Sequence, residues 1–217
     1  FITAIAKLKQ ANCSSFIIDL RGNTGGYMDA AINMVNEFMT NGRMIVYTEG
    51  KAFPRKDIYT NGTGTCQEAP IVILTDEFSA SASEIVSGAI QDWDRGVVVG
   101  RRTFGKGLVQ KPIPMPDKSM IRLTVARYYT PTGRSIQKPY VNGDKEQYNH
   151  DLIDRYNRGE LMSKDSIHFP DSLKFNTLET QRTVYGGGGI MPDVFIPVDT
   201  TRYTDYHRSI VATGLVN

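Results

Sequence analysis

Three serines at alternate positions precede a stretch of helix-like sequence. They are Ser79, Ser81 and Ser83, in the segment DEFSASASEIVSGAIQD. Ser81 and Glu84 fit the capping box S-x-x-E, in which a serine stands immediately before the helix and a glutamate occupies its third position. At such a helix N-terminus the backbone N–H groups are unpaired and the dipole is positive, so the N–H of Ala82 could stabilise an oxyanion. The pattern therefore fits two roles for Ser81, a helix cap and a catalytic nucleophile.

A candidate base for that nucleophile lies 25 residues further along the chain. Lys106 follows a buried strand-like run, stands between Gly105 and Gly107, and neighbours Phe104. Glycines allow close backbone approach, and apolar neighbours disfavour a protonated amine, so this setting favours a neutral lysine that can accept a proton. Ser-Lys pairs are a recurring catalytic arrangement. The ordinary alternative is a solvated surface lysine.

Gln110 and a pair of glycines are further candidates for the same site. Gln110 lies four residues after Lys106 in a strand-like run, so we expect the two side chains to share one face. Gly25 and Gly26, in the turn-rich stretch DLRGNTGG, could present N–H groups to a substrate oxygen. The alternative for these glycines is a tight turn with no chemical role.

The other patterns that could carry chemistry are weak. The stretch GRRTFGKG nearly fits the phosphate-binding loop GxxxxGK[ST], but Gly107 stands where the hydroxyl is required, and the prolines that follow exclude the helix such a loop needs. Asp92 lies on the order of 16 Å along the helix from Ser81, too far for a triad acid. The histidines have no metal-ligand spacing and lie outside the strand–loop–helix core; they are His150, His168 and His207.

Composition and charge exclude several classes of protein. The chain has 217 residues, of which 40% are apolar and 22% charged, as in an ordinary globular protein. Its net charge of +2 gives no reason to expect a nucleic-acid or membrane-surface partner. Because the chain opens on Phe1 rather than methionine, we expect it to be the core of a longer protein.

Alternating strands and helices must position these residues. The apolar runs FIIDL, MIVYT, IVILT and GVVVG are interpreted as strands, and FITAIAKLKQ, MDAAINMVNEFM and SEIVSGAIQDW as helices. Strands that are apolar on both faces predict a mainly parallel sheet with crossover helices, an α/β fold. The carboxyl ends of FIIDL and IVILT should then bring the loops at 22–26 and 78–81 to one edge, where such folds bind ligands.

The pattern changes in the second half of the chain. Beyond Gly107 the stretches LVQKPIPMP, SMIRLTVARYYT and DVFIPV predict a β-rich part, whereas the segment after MIVYT reads as a charged arm. We divide the chain into a core of 1–139 and 182–200, a polar insertion at 140–181 with weak helical periodicity, and a C-terminal tail of 201–217.

These motifs together closely resemble the carboxyl-terminal processing, or tail-specific, serine peptidases, which have a crotonase-like catalytic core. The matching stretches are FIIDLRGNTGGYMDAA, IVILTDEFSASASEIVSGAIQD, VVVGRRTFGKGLVQ, YYTPTGRSIQ and GGGGIMPD. They cover most of 1–138 and then 185–197, in an order that is highly specific. The segment 140–183 contains no recognisable motif.

The resemblance implies a role for each candidate residue. Ser81 becomes the nucleophile, because the family's serine is the middle one of SASAS. Lys106 becomes the general base, and Gln110 the residue that orients it. Thr103 and Glu84 match supporting positions around the site.

The resemblance also implies a mechanism and a class of partner. The oxyanion donors would be the N–H of Ala82 and one from Gly25 or Gly26, and the reaction needs neither a metal nor a cofactor. The expected substrates are proteins or peptides with exposed, unstructured C-terminal tails. The alternative is a non-catalytic crotonase-like module that binds peptides.

Further expectations follow from the family's usual setting. Members are generally exported in bacteria, to the periplasm or cell envelope, and many carry a PDZ domain, of which no segment is recognisable here. A homo-oligomer is compatible with the resemblance. Cys13 and Cys66 are too few and too far apart for a zinc site of the CxxC type. They could be two free buried thiols or, in an oxidising compartment, a disulfide at the edge of the sheet opposite the site.

Overall fold

The structure is a computed structural model and describes residues 1–140 and 144–199. Its elements follow in chain order as α1 (Ile2–Gln10), β1 (Phe16–Asp19), α2 (Met28–Phe38), β2 (Met44–Gly50), β3 (Phe53–Tyr59), β4 (Ile71–Thr75), α3 (Ala82–Asp92), β5 (Val97–Gly100), β6 (Leu108–Pro114), β7 (Met120–Tyr129), α4 (Lys145–Asn157), β8 (Lys174–Asn176), β9 (Thr183–Tyr185) and β10 (Val194–Phe195). Two short 3₁₀ helices, Lys164–Ser166 and Asp171–Leu173, lie between α4 and β8.

A four-stranded parallel sheet carries the loop that contains Ser81. Its strand order is β1-β4-β5-β10, and each neighbouring pair is parallel. Helix α3 is the crossover between β4 and β5, as parallel neighbours require. The predicted α/β class, with a parallel sheet, crossover helices and a β-rich second part, is confirmed.

Apolar residues on the helices and the parallel sheet form the core. Val35 and Phe38 of α2, Ile90 of α3, Ile73 of β4 and Val98 of β5 belong to one cluster and are at most 1% exposed. Full burial of each such side chain contributes about 1.5–3 kcal/mol relative to exposure. This packing fixes β4 and α3, and therefore the short connection between them.

The interpretation of MIVYT needs a correction, because β2 lies in a second, antiparallel sheet. That sheet has the order β3-β2-β7-β6. Ile45, Val46 and Tyr47 are all buried, so the run reads like a strand covered on both faces, which is also typical of a parallel sheet. Its partner β3 lies in the segment that was interpreted as a charged arm. This strand is mostly exposed and contains charged residues, so it lacks the apolar pattern from which a strand is predicted.

Strand β6 lies at the edge of the antiparallel sheet. It pairs with β7 and is exposed along most of its length. It contains Pro112 and Pro114, which lack a backbone N–H, and proline within sheets is confined largely to such edge strands.

The polar segment at 140–181 contains helix α4, close to the predicted periodicity, but it is anchored to the rest of the fold. Arg155, Leu161 and Thr177 are at most 7% exposed. The division into core, insertion and tail stays a prediction, and the tail at 201–217 falls outside the described residues. Across the described part of the chain, no helix has the length and apolar character to cross a membrane.

Both cysteines are free thiols in the structure. Cys66 is buried, whereas Cys13 is exposed, so the expectation of two buried thiols is wrong for Cys13. Burial raises the pKa of the Cys66 thiol, which makes it a poor nucleophile.

Candidate active site

Ser81 stands in the connection between β4 and α3, immediately before the helix begins at Ala82. Its backbone angles are φ 58° and ψ −114°, and its side chain is half-buried. The helix boundary is the one that the capping box predicts.

Hydrogen bonds join the loop before Ser81 to the loop after β1. The N–H of Ala80 donates to the carbonyl of Asn23 at 3.0 Å, and the Ser83 hydroxyl donates to the same oxygen at 3.0 Å. The buried Ser79 hydroxyl donates to the carbonyl of Leu20 at 2.7 Å. The two loops therefore meet at one edge of the parallel sheet, and Ser79 and Ser83 hold them together.

Gly25 and Gly26 lie beside Ser81 but differ in what their N–H groups do. A Cβ at Gly25, whose φ is +107°, would lie 2.6 Å from the Cβ of Ser81, so only glycine fits this approach. The Gly25 N–H donates to the side chain of Asn23 at 2.9 Å. In the part of the chain that the structure describes, the N–H groups of Gly26 and Ala82 have no hydrogen-bond acceptor. Those two groups are the free donors next to Ser81.

The Glu84 carboxylate is fully buried and holds the segments of Ser81 and Lys106 together. One oxygen accepts the N–H of Ser81 and that of Lys106, both at 2.8 Å. The other accepts the Thr103 hydroxyl at 2.6 Å and the Gly105 N–H at 2.7 Å. Burial raises the pKa of Glu84, and these hydrogen bonds oppose that shift. Four donors converging on two oxygens suit an ionised, acceptor-only carboxylate.

Lys106 lies in the loop between β5 and β6, where the chain passes from the parallel to the antiparallel sheet. Its carbonyl accepts the hydroxyl of Tyr128, and the following N–H, of Gly107, donates to the side chain of Gln137 at 3.0 Å. Among the described residues, the half-buried side-chain nitrogen of Lys106 has no hydrogen-bond or ion-pair partner. The main chain of the residue is thus fixed by hydrogen bonds, whereas its side-chain nitrogen is not.

Thr103 connects this loop to the GGGGIMPD stretch. It is fully buried, and its hydroxyl oxygen accepts the N–H of Ile190 at 2.7 Å while donating to Glu84. A Cβ at Gly189 would lie 2.4 Å from the Thr103 carbonyl oxygen, so the glycine allows the close approach. The supporting positions expected for Thr103 and Glu84 are therefore adjacent in space.

Gln110 lines the same cleft as Lys106, as expected from the shared face, but its contacts differ from the expected role. Its amide donates to the hydroxyl of Thr124 at 3.4 Å, a long bond. The strand pairing shifts register between Val109 and Gln110, which alters the simple alternation assumed from the spacing. Within the described residues, no hydrogen bond joins Gln110 to Lys106.

A cleft of ≈ 540 Å³ brings the candidate residues together, and a neighbouring cleft of ≈ 970 Å³ shares Lys106 and Gln110 with it. The first of these is lined by Ser81, Ala82, Gly26, Lys106 and Gln110. Apolar side chains form much of the remaining wall; they are Tyr27, Met28, Ile85, Leu108, Val109, Pro112 and Met120. Such a wall suits an apolar peptide segment held near the serine.

Tyr128 is a residue at this site that the sequence reasoning missed. It lines the cleft beside Ser81 and Lys106, and its side chain is only 3% exposed. Burial raises the pKa of Tyr128, the charge of Glu84 adds to this, and a hydrogen bond with Ser81 opposes it. In the sequence, two tyrosines within a strand-like run predict only a packed strand. No neighbouring residue indicates that one of them lines the site.

The candidates set aside in the sequence lie away from the cleft. Asp92 forms a fully buried ion pair with Arg134 and accepts the N–H of Thr132 at 2.9 Å, which is a structural role. Among the described residues no group of His, Cys, Asp and Glu could hold a metal ion. His207 lies outside the described residues.

Comparisons with known proteins give the family. The model of Peptidase family S41 matches residues 1–147. A carboxy-terminal-processing protease of Bartonella bacilliformis is 41% identical over 133 residues, covering 61% of this chain and 30% of that protein. The chloroplastic C-terminal processing peptidase of Tetradesmus obliquus is 35% identical over 142 residues, covering 65% of this chain and 30% of that protein. This chain thus spans about a third of the length of these relatives.

A solved structure supports the same assignment. The photosystem II D1 C-terminal processing protease aligns with 90% of this chain and 38% of its own, with a TM-score of 0.61 and 26% identity. The likeness includes the parallel and antiparallel sheets between which Lys106 lies. The chain belongs to peptidase family S41 and is homologous to its C-terminal processing proteases.

Proposed function

We propose that this chain carries the catalytic site of a serine endopeptidase that cleaves proteins near their unstructured C-termini. The observation that supports it best is the single cleft that gathers Ser81, Lys106 and the free N–H groups of Ala82 and Gly26. The relatives named C-terminal processing proteases support the substrate class.

The reaction begins at Ser81. Neutral Lys106 takes the proton of the serine hydroxyl as its oxygen attacks a peptide carbonyl, forming a tetrahedral intermediate. The negative oxygen is stabilised by the N–H groups of Ala82, at the start of α3, and Gly26. Gly26 is preferred over Gly25 because the Gly25 N–H already donates to Asn23.

Three further proton transfers complete the turnover. Protonated Lys106 gives its proton to the leaving amine, so the peptide bond breaks and an ester to Ser81 remains. Water then attacks this ester as Lys106 accepts a proton from it, and the ester bond breaks as Lys106 returns that proton to the departing Ser81 oxygen, which restores the serine hydroxyl and the neutral lysine. In this scheme Gln110, which lines the same cleft, limits the orientations of the Lys106 side chain. Glu84 holds the main chain of both Ser81 and Lys106.

Cleavage assays on an unstructured protein labelled at its C-terminus test the proposal. Ser81→Ala and Lys106→Ala should each lower kcat by at least about 100-fold, since each removes a group that reacts. Lys111→Ala is the matched control, because Lys111 lies on β6, five residues after Lys106, outside the cleft and against the ring of Phe53. Equal cleavage by wild type and both site variants would contradict the proposal.

Export to the periplasm or cell envelope, and assembly into a homo-oligomer, remain proposals that rest on the resemblance alone. Cell fractionation and sedimentation of the intact protein would test them separately.

A further inference from the structure

Both polar main-chain atoms of Lys106 are held by buried side chains. Its N–H donates to Glu84 at 2.8 Å, and its carbonyl accepts the hydroxyl of Tyr128. The N–H of Tyr128 also donates to the carbonyl of Gly107 at 3.0 Å, so this tyrosine contacts the loop at two successive residues. Because Gly105 and Gly107 flank the lysine, the loop has little conformational restraint of its own.

We propose that Tyr128 is a positioning residue for the Ser-Lys reaction, which holds the Lys106 main chain against the nucleophile through its phenolic hydroxyl. This inference rests on the proposed function of Ser81 and Lys106. The tyrosine comes from β7 in the antiparallel sheet, whereas Ser81 precedes α3 on the parallel sheet. Its hydroxyl donates to the Lys106 carbonyl and also shares a hydrogen bond with Ser81, so it links the two halves of the site across the cleft that all three residues line.

The environment of the phenol fits a donor and not a second base. Tyr128 is buried beside the Glu84 carboxylate, and both effects raise the pKa of its hydroxyl well above the usual range. The group therefore keeps its proton throughout the pH range of an assay. A neutral O–H can continue to donate to the Lys106 carbonyl while the amine of Lys106 exchanges protons.

The substitution Tyr128→Phe removes this hydroxyl and keeps the ring. One buried hydrogen bond contributes about 1 kcal/mol, so we expect kcat to fall about 5- to 10-fold. KM should change less than twofold, because the ring and the cleft wall remain. Tyr185→Phe is the matched control: its ring stacks on Phe169 at 4.7 Å between centroids, away from Ser81 and Lys106, and kcat should be unchanged.

The measurements are kcat, KM and the thermal unfolding midpoint, on wild type and both phenylalanine variants. A lower kcat with an unchanged KM and a folded variant supports the inference. A wild-type kcat in Tyr128→Phe, or a rise in KM alone, overturns it. If Ser81→Ala and Lys106→Ala also cleave normally, the proposed function fails as well; if they are inactive while Tyr128→Phe is normal, only the role of Tyr128 fails.

Discussion

Ser81 has backbone angles that a serine seldom adopts. A φ of 58° with a ψ of −114° corresponds to the first central position of a type II′ turn, where glycine predominates. Non-glycine residues held in such regions cost of order 1–3 kcal/mol. The surroundings maintain this conformation, since the Ser81 N–H is bound by Glu84 and Gly25 leaves room for the serine Cβ.

This backbone conformation predicts an unusual order of stability between two variants of Ser81. Ser81→Gly relieves the strain, whereas Ser81→Ala keeps a Cβ in the same conformation. We therefore expect the glycine variant to be more stable than the alanine variant by about 1 kcal/mol, although glycine normally lowers stability through the entropy of the unfolded chain. Urea unfolding of both proteins measures the difference. An alanine variant that is the more stable of the two would show that Ser81 is not strained.

At the residue scale, local patterns were predicted best. The cap position of Ser81 and the placement of Glu84 depend on residues three apart in the chain, and both are found. The contact between Tyr128 on β7 and Lys106 in the loop before β6 joins residues 22 apart in the chain, and nothing in their spacing encodes it. The bulge at Gln110 is likewise set by pairing with β7, so its hydrogen bond to Thr124 could not be predicted from alternation.

At the element scale, helix α4 supports the loop that carries Lys106. The buried guanidinium of Arg155 donates to the carbonyl of Arg102 at 2.7 Å and to that of Thr103 at 3.0 Å. Burial lowers the pKa of Arg155 to about 10, with the positive charge of Arg102 contributing. The guanidinium therefore stays charged near neutral pH, and its bonds to the loop are charge-assisted.

The substitution Arg155→Met should loosen this loop. It removes both hydrogen bonds and leaves two buried carbonyls without these donors, so we expect the free energy of unfolding to fall by about 2 kcal/mol. The cleavage rate should fall as well. Arg158→Met is a suitable comparison, because Arg158 is 53% exposed and pairs with Glu160, and its loss should cost less than about 1 kcal/mol. Equal stability of the two variants, measured by urea unfolding, would refute this role for α4.

The types of the elements were largely predictable, but their partners were less so. The strands at FIIDL, IVILT and GVVVG and the helix after Ser81 all follow from apolar periodicity. The same apolar signal in MIVYT could not distinguish a parallel from an antiparallel neighbour, because Ile45, Val46 and Tyr47 are covered on both faces in either arrangement. The anchoring of α4 escaped prediction because its contacts run through arginine, a residue that usually marks the surface.

At the scale of the whole molecule, the cleft forms where two sheets meet. Ser81 is positioned by the parallel sheet and Tyr128 by the antiparallel sheet, and Lys106 lies in the chain crossing between them. The site is therefore complete only when the two sheets are packed together. Glu84 and Tyr128 make that packing specific, because each binds the Lys106 main chain from a different side.

Asp94 links the segment before β9 to the end of α3. Its ionisation is expected to make the stability of the fold depend on pH. Burial raises its pKa, but hydrogen bonds from Thr180, Arg182 and Thr177 outweigh this and lower it to about 2. Since the folded pKa lies below the unfolded one, this stabilisation is present above about pH 4 and is lost as the pH falls toward 2.

The substitution Asp94→Asn should therefore lower the free energy of unfolding by about 2 kcal/mol at pH 7. Near pH 3 the difference in the free energy of unfolding between wild type and the variant should be about half as large, because the wild-type carboxylate becomes protonated. Urea titrations at several pH values measure this trend. Asp171→Asn is the control, because Asp171 forms an exposed ion pair with Lys174, and its free energy of unfolding should stay close to that of wild type. If the stability difference between wild type and Asp94→Asn stays constant with pH, the ionised carboxylate is not its cause.

The prolines of β6 have a consequence for self-association. An exposed edge strand offers a template on which a strand from another chain could build a sheet. Pro112 and Pro114 remove two N–H donors from that edge, so a foreign strand cannot form a regular hydrogen-bond ladder there. Strand addition along β6 is therefore disfavoured, which protects this edge of the sheet against edge-to-edge aggregation.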